Sequence, residues 1–140
     1  MRKSCVKEFP SSTRTAQQAA ETIGCELGQI AKSLIFKGKI SGKPVLVIAS
    51  GKNKVNEKRI IEYCGEHIEK ADANFVLEST GFAIGGVPPI GHNNPVETLI
   101  DLDLMGYETI WAAAGNPNAV FKLRPVELVK ITNGRLVSMV

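Results

Sequence analysis

Two stretches of this sequence carry residues that could bind or transform a ligand. The first is Lys32, which lies between the apolar pairs at positions 30–31 and 34–35. A lysine among apolar residues is costly to bury unless its ammonium group reaches a cleft, an ion pair or an anionic ligand. The alternative is a side chain that extends past the end of a strand and keeps its charge in water. From residue types alone, both interpretations stay open.

The second stretch is the glycine loop, residues 81–91, which contains four glycines and two prolines. Glycine permits positive φ angles and close approach, whereas proline removes a donor and stiffens the chain. A rigid loop of this kind can present backbone amide and carbonyl groups to a small ligand. The alternative is a tight turn with a purely structural role.

Other common catalytic arrangements are absent from the sequence. There is no Gly-x-Ser-x-Gly elbow, and the histidines that could act as bases are His67 and His92. The three cysteines, Cys5, Cys25 and Cys64, are an odd number without metal-ligand spacing, and nothing marks one as activated. The glycine loop does not match a dinucleotide-binding motif. We therefore expect a site made of backbone groups and lysines, without a metal or a cofactor.

The charge is unevenly distributed along the chain, although the net charge is only +3. Residues 31–60 hold eight basic residues and one acidic residue, whereas residues 61–110 hold nine acidic residues and one basic residue. This asymmetry favours a basic face for an anionic partner, with Lys37, Lys52, Lys54 and Lys58 as candidate contacts. The alternative is that these lysines lie on strand ends and loops that face different ways.

Short strands and helices must position these residues. Apolar patterns predict helices at residues 15–23, 56–64, 73–79 and 125–132, the first capped by one of residues 11–13 and ended by Gly24. They predict strands at residues 6–9, 30–37, 44–49, 99–101, 109–113, 119–123 and 135–139, with the second and third forming a hairpin. The order is too irregular for a doubly wound sheet. We expect one domain over residues 1–140 with a mixed α/β fold, in which a curled, barrel-like mixed sheet is flanked by helices.

The glycine loop resembles the signature of the YbaK family, which includes free-standing prolyl-tRNA editing proteins and the editing domain inserted in many bacterial prolyl-tRNA synthetases. Four further segments resemble the family in the same order: the first helix at residues 13–20, the lysine-bearing strand at residues 29–36 with its Lys-(Ser/Thr)-Leu core, residues 55–59, and the Pro…Ile-Asp stretch at residues 95–101. The resemblance covers roughly residues 11–137.

This resemblance implies a mixed-sheet, barrel-like fold and hydrolysis of the ester that joins a wrong amino acid to the 3′-terminal adenosine of tRNA. Lys32 matches the lysine that members need for activity, and its implied role is to contact the terminal phosphate or ribose. The loop would grip the aminoacyl group and position a water, with help from the vicinal ribose hydroxyl. The implied catalytic residues are Lys32, Gly85 and Gly86, and the implied substrate-binding residues are Phe82, Ile84, Pro89, Gly91, His92, Asp101 and Gly115.

One departure from the family concerns substrate choice. The synthetase-inserted domains carry a histidine soon after an Ala-Gly-Asn segment, whereas residues 114–116 are followed here by Pro-Asn-Ala. We expect a cytoplasmic editing hydrolase that acts on aminoacyl-tRNA carrying a small amino acid, with an aminoacyl-tRNA synthetase as a further candidate partner and no membrane segment. Two alternatives stay open: a non-catalytic tRNA-binding or synthetase-associated module, and a hydrolase of another small acyl ester.

Overall fold

The computed structural model describes residues 6–9, 15–84, 87–92, 96–115 and 118–140. Its eight strands are β1 (Val6–Glu8), β2 (Ile30–Gly38), β3 (Pro44–Ser50), β4 (Ile68–Lys70), β5 (Glu97–Asp101), β6 (Ile110–Ala113), β7 (Ala119–Leu123) and β8 (Arg135–Val137). Its four α-helices are α1 (Ala16–Ile23), α2 (Glu57–Cys64), α3 (Ala73–Thr80) and α4 (Pro125–Thr132). Short 3₁₀ helices precede β2, at Leu27–Gln29, and come after β5, at Leu102–Gly106. None of the helices in these ranges has the length and apolar character to cross a membrane.

All eight strands belong to one mixed sheet, in the order β1-β7-β6-β2-β3-β5-β8, with β4 attached to β2. The β2–β3 hairpin is antiparallel, and β5 and β8 then add in parallel. The mixed α/β fold predicted from the sequence is confirmed.

Helices cover both faces of the sheet because successive strand residues point to opposite faces. On one face, Ile35, Ile48 and Ile100 pack with Val76 of α3 and Leu128 of α4. The other face packs against α2 through residues such as Phe36, Val47, Leu99 and Ile60. A smaller apolar cluster holds α1 against β6 and β7.

Strand β2 is only partly paired along one edge, and a cleft lies beside the unpaired part. Its first residues pair with β6 as far as Ala31, and pairing with β4 begins at Phe36. Between these two pairings, residues 32–35 have no strand register on this edge within the described chain. We call residues 32–35 the open edge of β2.

Helix α1 is capped by Thr15, whereas the sequence predicted a cap among residues 11–13. The Thr15 hydroxyl accepts from the Gln18 amide, and the Gln18 side chain accepts in turn from the Thr15 amide. This reciprocal pair is a capping box, which satisfies two donors at the helix start. The prediction for residues 11–13 was wrong on the identity of the cap, and their own structure lies outside the described residues. The predicted end at Gly24 is confirmed.

Candidate active site

Two adjoining pockets lie along the open edge of β2. They share five lining residues, Lys32, Ser33, Leu34, Ile84 and Val87. The first, which we call the lysine pocket, has a volume of about 370 Å³ and is also lined by Lys54 and Lys70. The second, which we call the alanine pocket, has a volume of about 320 Å³ and is lined by Ala16, Ala19, Ala31, Ala112 and Ala113. Both volumes fall in the usual range for small-molecule sites.

Lys32 lies where the two pockets meet, and a main-chain group fixes its ammonium. Its Nζ atom donates to the carbonyl oxygen of Asn53 at 2.6 Å, in the loop that follows β3. Burial lowers the pKa of the Lys32 amine, and the negative charge of Asp101 raises it again in part. Because an ammonium group carries three donors, two stay available for a ligand.

Asp101 holds in place the loop that contacts Lys32. Its side chain is 1% exposed. One carboxylate oxygen accepts from the Ser50 amide at 3.0 Å and from Asn53 Nδ2 at 2.9 Å, and the other accepts from the Asp103 amide at 2.9 Å. This geometry suits a residue that positions Asn53 and Lys32 better than one that touches a substrate.

Ser33, beside Lys32 on the open edge, carries a buried hydroxyl that has no hydrogen-bond partner among the described residues. Its side chain points to the opposite face from Lys32, since the two residues are neighbours in a strand. Its backbone groups point to the open edge, because Ile35 two residues later accepts from the Ala71 amide on that edge. Ser33 was not predicted from the sequence as a site residue, although its place beside Lys32 was the available signal.

The described part of the glycine loop covers the pockets with apolar side chains. Ile84, which is 41% exposed, and buried Val87 line both pockets. Pro89 is also buried, but it lines neither pocket. Gly85 and Gly86, the predicted catalytic glycines, lie outside the described residues.

Four of the predicted substrate-binding residues form a cluster that supports this loop. The Phe82 ring meets the His92 ring edge to face at a centroid distance of 6.4 Å. A side chain at Gly91 or Gly115 would contact Phe82, at 3.9 and 3.3 Å respectively. His92 Nε2 lies 2.7 Å from the Pro88 carbonyl oxygen, so that nitrogen donates and carries the proton. None of the four lines either pocket.

The predicted tRNA-binding lysines differ in their relation to the two pockets. Lys54 lines the lysine pocket, whereas Lys37, Lys52 and Lys58 line neither pocket. The ammonium of Lys37 lies over the Phe75 ring at 5.0 Å, and that of Lys52 over the Tyr107 ring at 5.6 Å. Lys70, which the sequence analysis did not select, lines the lysine pocket from the end of β4.

Two described cysteines, Cys25 and Cys64, are partly buried. Burial raises the pKa of both the Cys25 and the Cys64 thiols, which disfavours the nucleophilic thiolate. Within the described ranges, no group of three or more His, Cys, Asp and Glu side chains is arranged to hold a metal ion.

Comparison with known proteins places this site in a family context. Residues 10–131 match the family described as "Aminoacyl-tRNA editing domain". "Uncharacterized protein YwhH" of Bacillus subtilis is 39% identical over 127 residues, which are 91% of this chain and 80% of that protein. "Putative Cys-tRNA(Pro)/Cys-tRNA(Cys) deacylase EbsC" of Enterococcus faecalis is 28% identical over 86% of this chain and 74% of that protein. The proline–tRNA ligase of Limosilactobacillus fermentum is 35% identical over 71% of this chain, which corresponds to 18% of the ligase.

Solved structures agree with this relationship. The fold matches a structure described as a "putative trans-editing enzyme for prolyl tRNA synthetase", with a TM-score of 0.89 and 45% identity over 96% of this chain and 84% of that one. A second structure, "hypothetical protein APE2540", gives a TM-score of 0.88 at 28% identity, over 96% of this chain and 89% of that one. The resemblance stated from the sequence is thereby confirmed, and the chain belongs to the aminoacyl-tRNA editing domain family.

Proposed function

We propose that this protein is an aminoacyl-tRNA deacylase that removes a wrongly attached small amino acid from the 3′-terminal adenosine of tRNA. The observation that carries the proposal is the arrangement at the open edge of β2. There, the fixed ammonium of Lys32 lies between a pocket rich in lysines and a pocket lined by alanines. The substrate joins the anionic 3′ end of an RNA to a small acyl group, and the two pockets match these two parts.

Lys32 holds the 3′ end of the tRNA in this proposal. Its Nζ atom is anchored to the Asn53 carbonyl, and the two remaining donors contact the terminal phosphate or ribose. Asp101 positions the cation through its hydrogen bond to Asn53. A contact held in this way lowers the entropic cost of aligning the ester with its nucleophile.

The chemical step is attack of water on the ester carbonyl. The carbonyl carbon gains the water oxygen, the bond to the ribose oxygen breaks, and the ribose oxygen takes a proton. Backbone groups of Gly85, Gly86 and the rest of the glycine loop position the water and stabilise the developing oxyanion. The vicinal ribose hydroxyl assists, as the family resemblance implies. An ester is already an activated acyl group, so this reaction needs no catalytic triad.

The alanine pocket receives the amino acid side chain. Lys32 is the charged residue in its lining, and five alanines from α1, β2 and β6 make much of its surface apolar. Of the predicted substrate-binding residues, Ile84 is the one that lines this pocket in the described chain. The cluster of Phe82, Gly91, His92 and Gly115 acts indirectly by supporting the loop. A cytoplasmic location and association with a synthetase stay predictions.

The deciding experiment is deacylation of tRNA charged with alanine, serine, threonine or cysteine, beside correctly charged controls. We expect selective release by the wild type and a loss of at least about a hundredfold in kcat/KM for Lys32→Met. Methionine keeps the length of the side chain without its charge, so it tests the ammonium rather than the volume. Lys130→Ala, an exposed lysine on α4 outside both pockets, is the matched control and should behave as the wild type.

Two outcomes would contradict the proposal. If no substrate is hydrolysed while tRNA still binds, the protein is a binding module. If free aminoacyl esters are hydrolysed as efficiently as charged tRNA, and without dependence on salt concentration, the substrate is another small ester.

A further inference from the structure

The lysine pocket carries more positive charge than its own lining neutralises. Three ammonium groups, those of Lys32, Lys54 and Lys70, face one carboxylate, that of Glu57. Among the described residues, the ion pair found within 4.0 Å is Arg124–Glu127, so none of the three lysines has a carboxylate at that distance. A cleft with an excess of ammonium groups favours an anionic ligand.

Two separate segments bring Lys54 and Lys70 to this pocket. Lys54 follows Asn53, which is held by Asp101. Lys70 is the last residue of β4, paired with Phe36 on the sheet, and the chain leaves the sheet directly after it. The incomplete pairing of β2 therefore places an exposed lysine at the edge of the cleft.

The rest of the lysine pocket is apolar, which limits the kind of anion that fills it. Its walls come from β2, the loop before α2, helix α3 and the glycine loop, through Leu34, Phe36, Val55, Val76, Ile84 and Val87. Inorganic phosphate would contact the lysines and leave this apolar surface exposed to water. A nucleotide matches both features, because its phosphate meets the lysines and its base meets the apolar wall.

The two pockets share Lys32, Ser33 and Leu34, so parts of one molecule can occupy both. We infer that the lysine pocket binds the nucleotide that precedes the terminal adenosine, an inference that rests on the proposed function. Lys70 and Lys54 then contact the phosphate that joins the two nucleotides. The protein then recognises a dinucleotide at the 3′ end of single-stranded RNA rather than an isolated aminoacyl-adenosine. Lys70 is the residue that this inference adds to the site.

The test compares binding of adenosine, the dinucleotide CpA and the tetranucleotide ACCA, all without amino acid, by calorimetry at several salt concentrations. In the wild type and in Lys130→Ala, we expect CpA to bind at least about fivefold more tightly than adenosine. In Lys70→Ala this gain should fall below about twofold, and the slope of log K against log salt should decrease by about 0.7. Lys70→Arg should restore the gain, because the positive charge is kept. Urea unfolding of each variant establishes that the fold is intact.

Deacylation measured on the same variants separates this inference from the proposed function. If the wild type hydrolyses charged tRNA but Lys70→Ala binds CpA as well as the wild type does, the inference is overturned and the deacylase proposal stands. If the gain for CpA depends on Lys70 but no charged tRNA is hydrolysed, the nucleotide site stands and the deacylase proposal fails. If Lys130→Ala loses as much of the gain for CpA as Lys70→Ala does, the gain depends only on the net charge of the protein, and the inference is also overturned.

Discussion

The ammonium group of Lys32 is partly buried, and this burial makes both folding stability and anion binding depend on pH. Burial lowers the pKa of its amine below the ordinary value of 10.5, while Asp101 raises it in part. The unfolded chain therefore binds more protons than the folded protein between the lowered pKa and 10.5, so the contribution of Lys32 to stability improves as pH rises through that window. Binding of an anion through its ammonium changes in the opposite direction and weakens as pH rises through the lowered pKa.

We predict that an NMR titration of the lysine side chains will find Lys32 titrating below 10.5. Asp101→Asn should lower the pKa of Lys32 further, because it removes the carboxylate that favours the ammonium. The same variant should lower the free energy of unfolding by about 1–3 kcal/mol, since a buried acceptor of three hydrogen bonds is altered. A pKa for Lys32 that does not respond to Asp101→Asn would contradict the electrostatic link between the two residues.

Ser33 offers a second residue-scale prediction, based on a comparison of two serines whose hydroxyl groups are buried. Ser50 Oγ donates to the Gly28 carbonyl at 2.7 Å, whereas Ser33 Oγ has no hydrogen-bond partner in the part of the chain that the structure describes. Ser50→Ala should therefore lower the free energy of unfolding by about 1–2 kcal/mol, and Ser33→Ala should leave it unchanged or raise it by up to about 1 kcal/mol. Urea unfolding measures both values. A cost for Ser33→Ala equal to that for Ser50→Ala would mean that the Ser33 hydroxyl is satisfied in solution.

At the scale of elements, the site depends on how one loop is supported. Gly115 has a φ of 106°, and a side chain there would lie 3.3 Å from the Phe82 ring, which in turn meets His92. The segment after β6 therefore lies close to Phe82 of the glycine loop. A change at Gly115 should reach the pockets through Phe82 rather than through direct contact with a substrate.

We predict that Gly115→Ala will reduce the deacylation rate as well as stability, because it combines an unfavourable φ with displacement of Phe82. Gly24→Ala is the control, since Gly24 also has a positive φ, of 82°, but open space around it. Both variants should lose about 1–2 kcal/mol of unfolding free energy from the φ angle. If the two variants keep equal activity, the Phe82 cluster does not support the site.

For the whole molecule, a net charge of only +3 means that RNA binding must depend on where the charges lie. Lys54 and Lys58 are four positions apart, yet Lys54 lines the lysine pocket and Lys58 does not. Substitutions of these two lysines therefore distinguish an effect of charge inside the pocket from an effect of the net charge of the protein.

We predict that Lys54→Ala will weaken binding of full-length tRNA and reduce its salt dependence by about 0.7–0.9 in the log–log slope, as expected for one lost phosphate contact. Lys58→Ala should change both quantities much less. The measurement is the dissociation constant at four or more salt concentrations. Equal effects of the two substitutions would favour a broad basic face over a defined pocket.

Local sequence patterns predicted most of the elements. Helix 125–132 has the predicted bounds, and the β2–β3 hairpin forms as expected from two apolar runs around a turn. Strand β4 was missed because Ile68–Lys70 is only three residues long and carries no alternating apolar pattern. Its extended shape comes from pairing with β2, which is remote in sequence.

The sequence by itself determined the class of fold, the family and the two segments that carry the chemistry, because periodicity and motif order are encoded by residues close together in the chain. Only the tertiary structure decided what surrounds Lys32. The cleft exists because β6 and β4 stop at different points along β2. Asn53 contacts Lys32 there, Asp101 holds Asn53, and Lys70 lines the cleft from a third segment. These relations depend on strand pairing between distant residues, which no local pattern records.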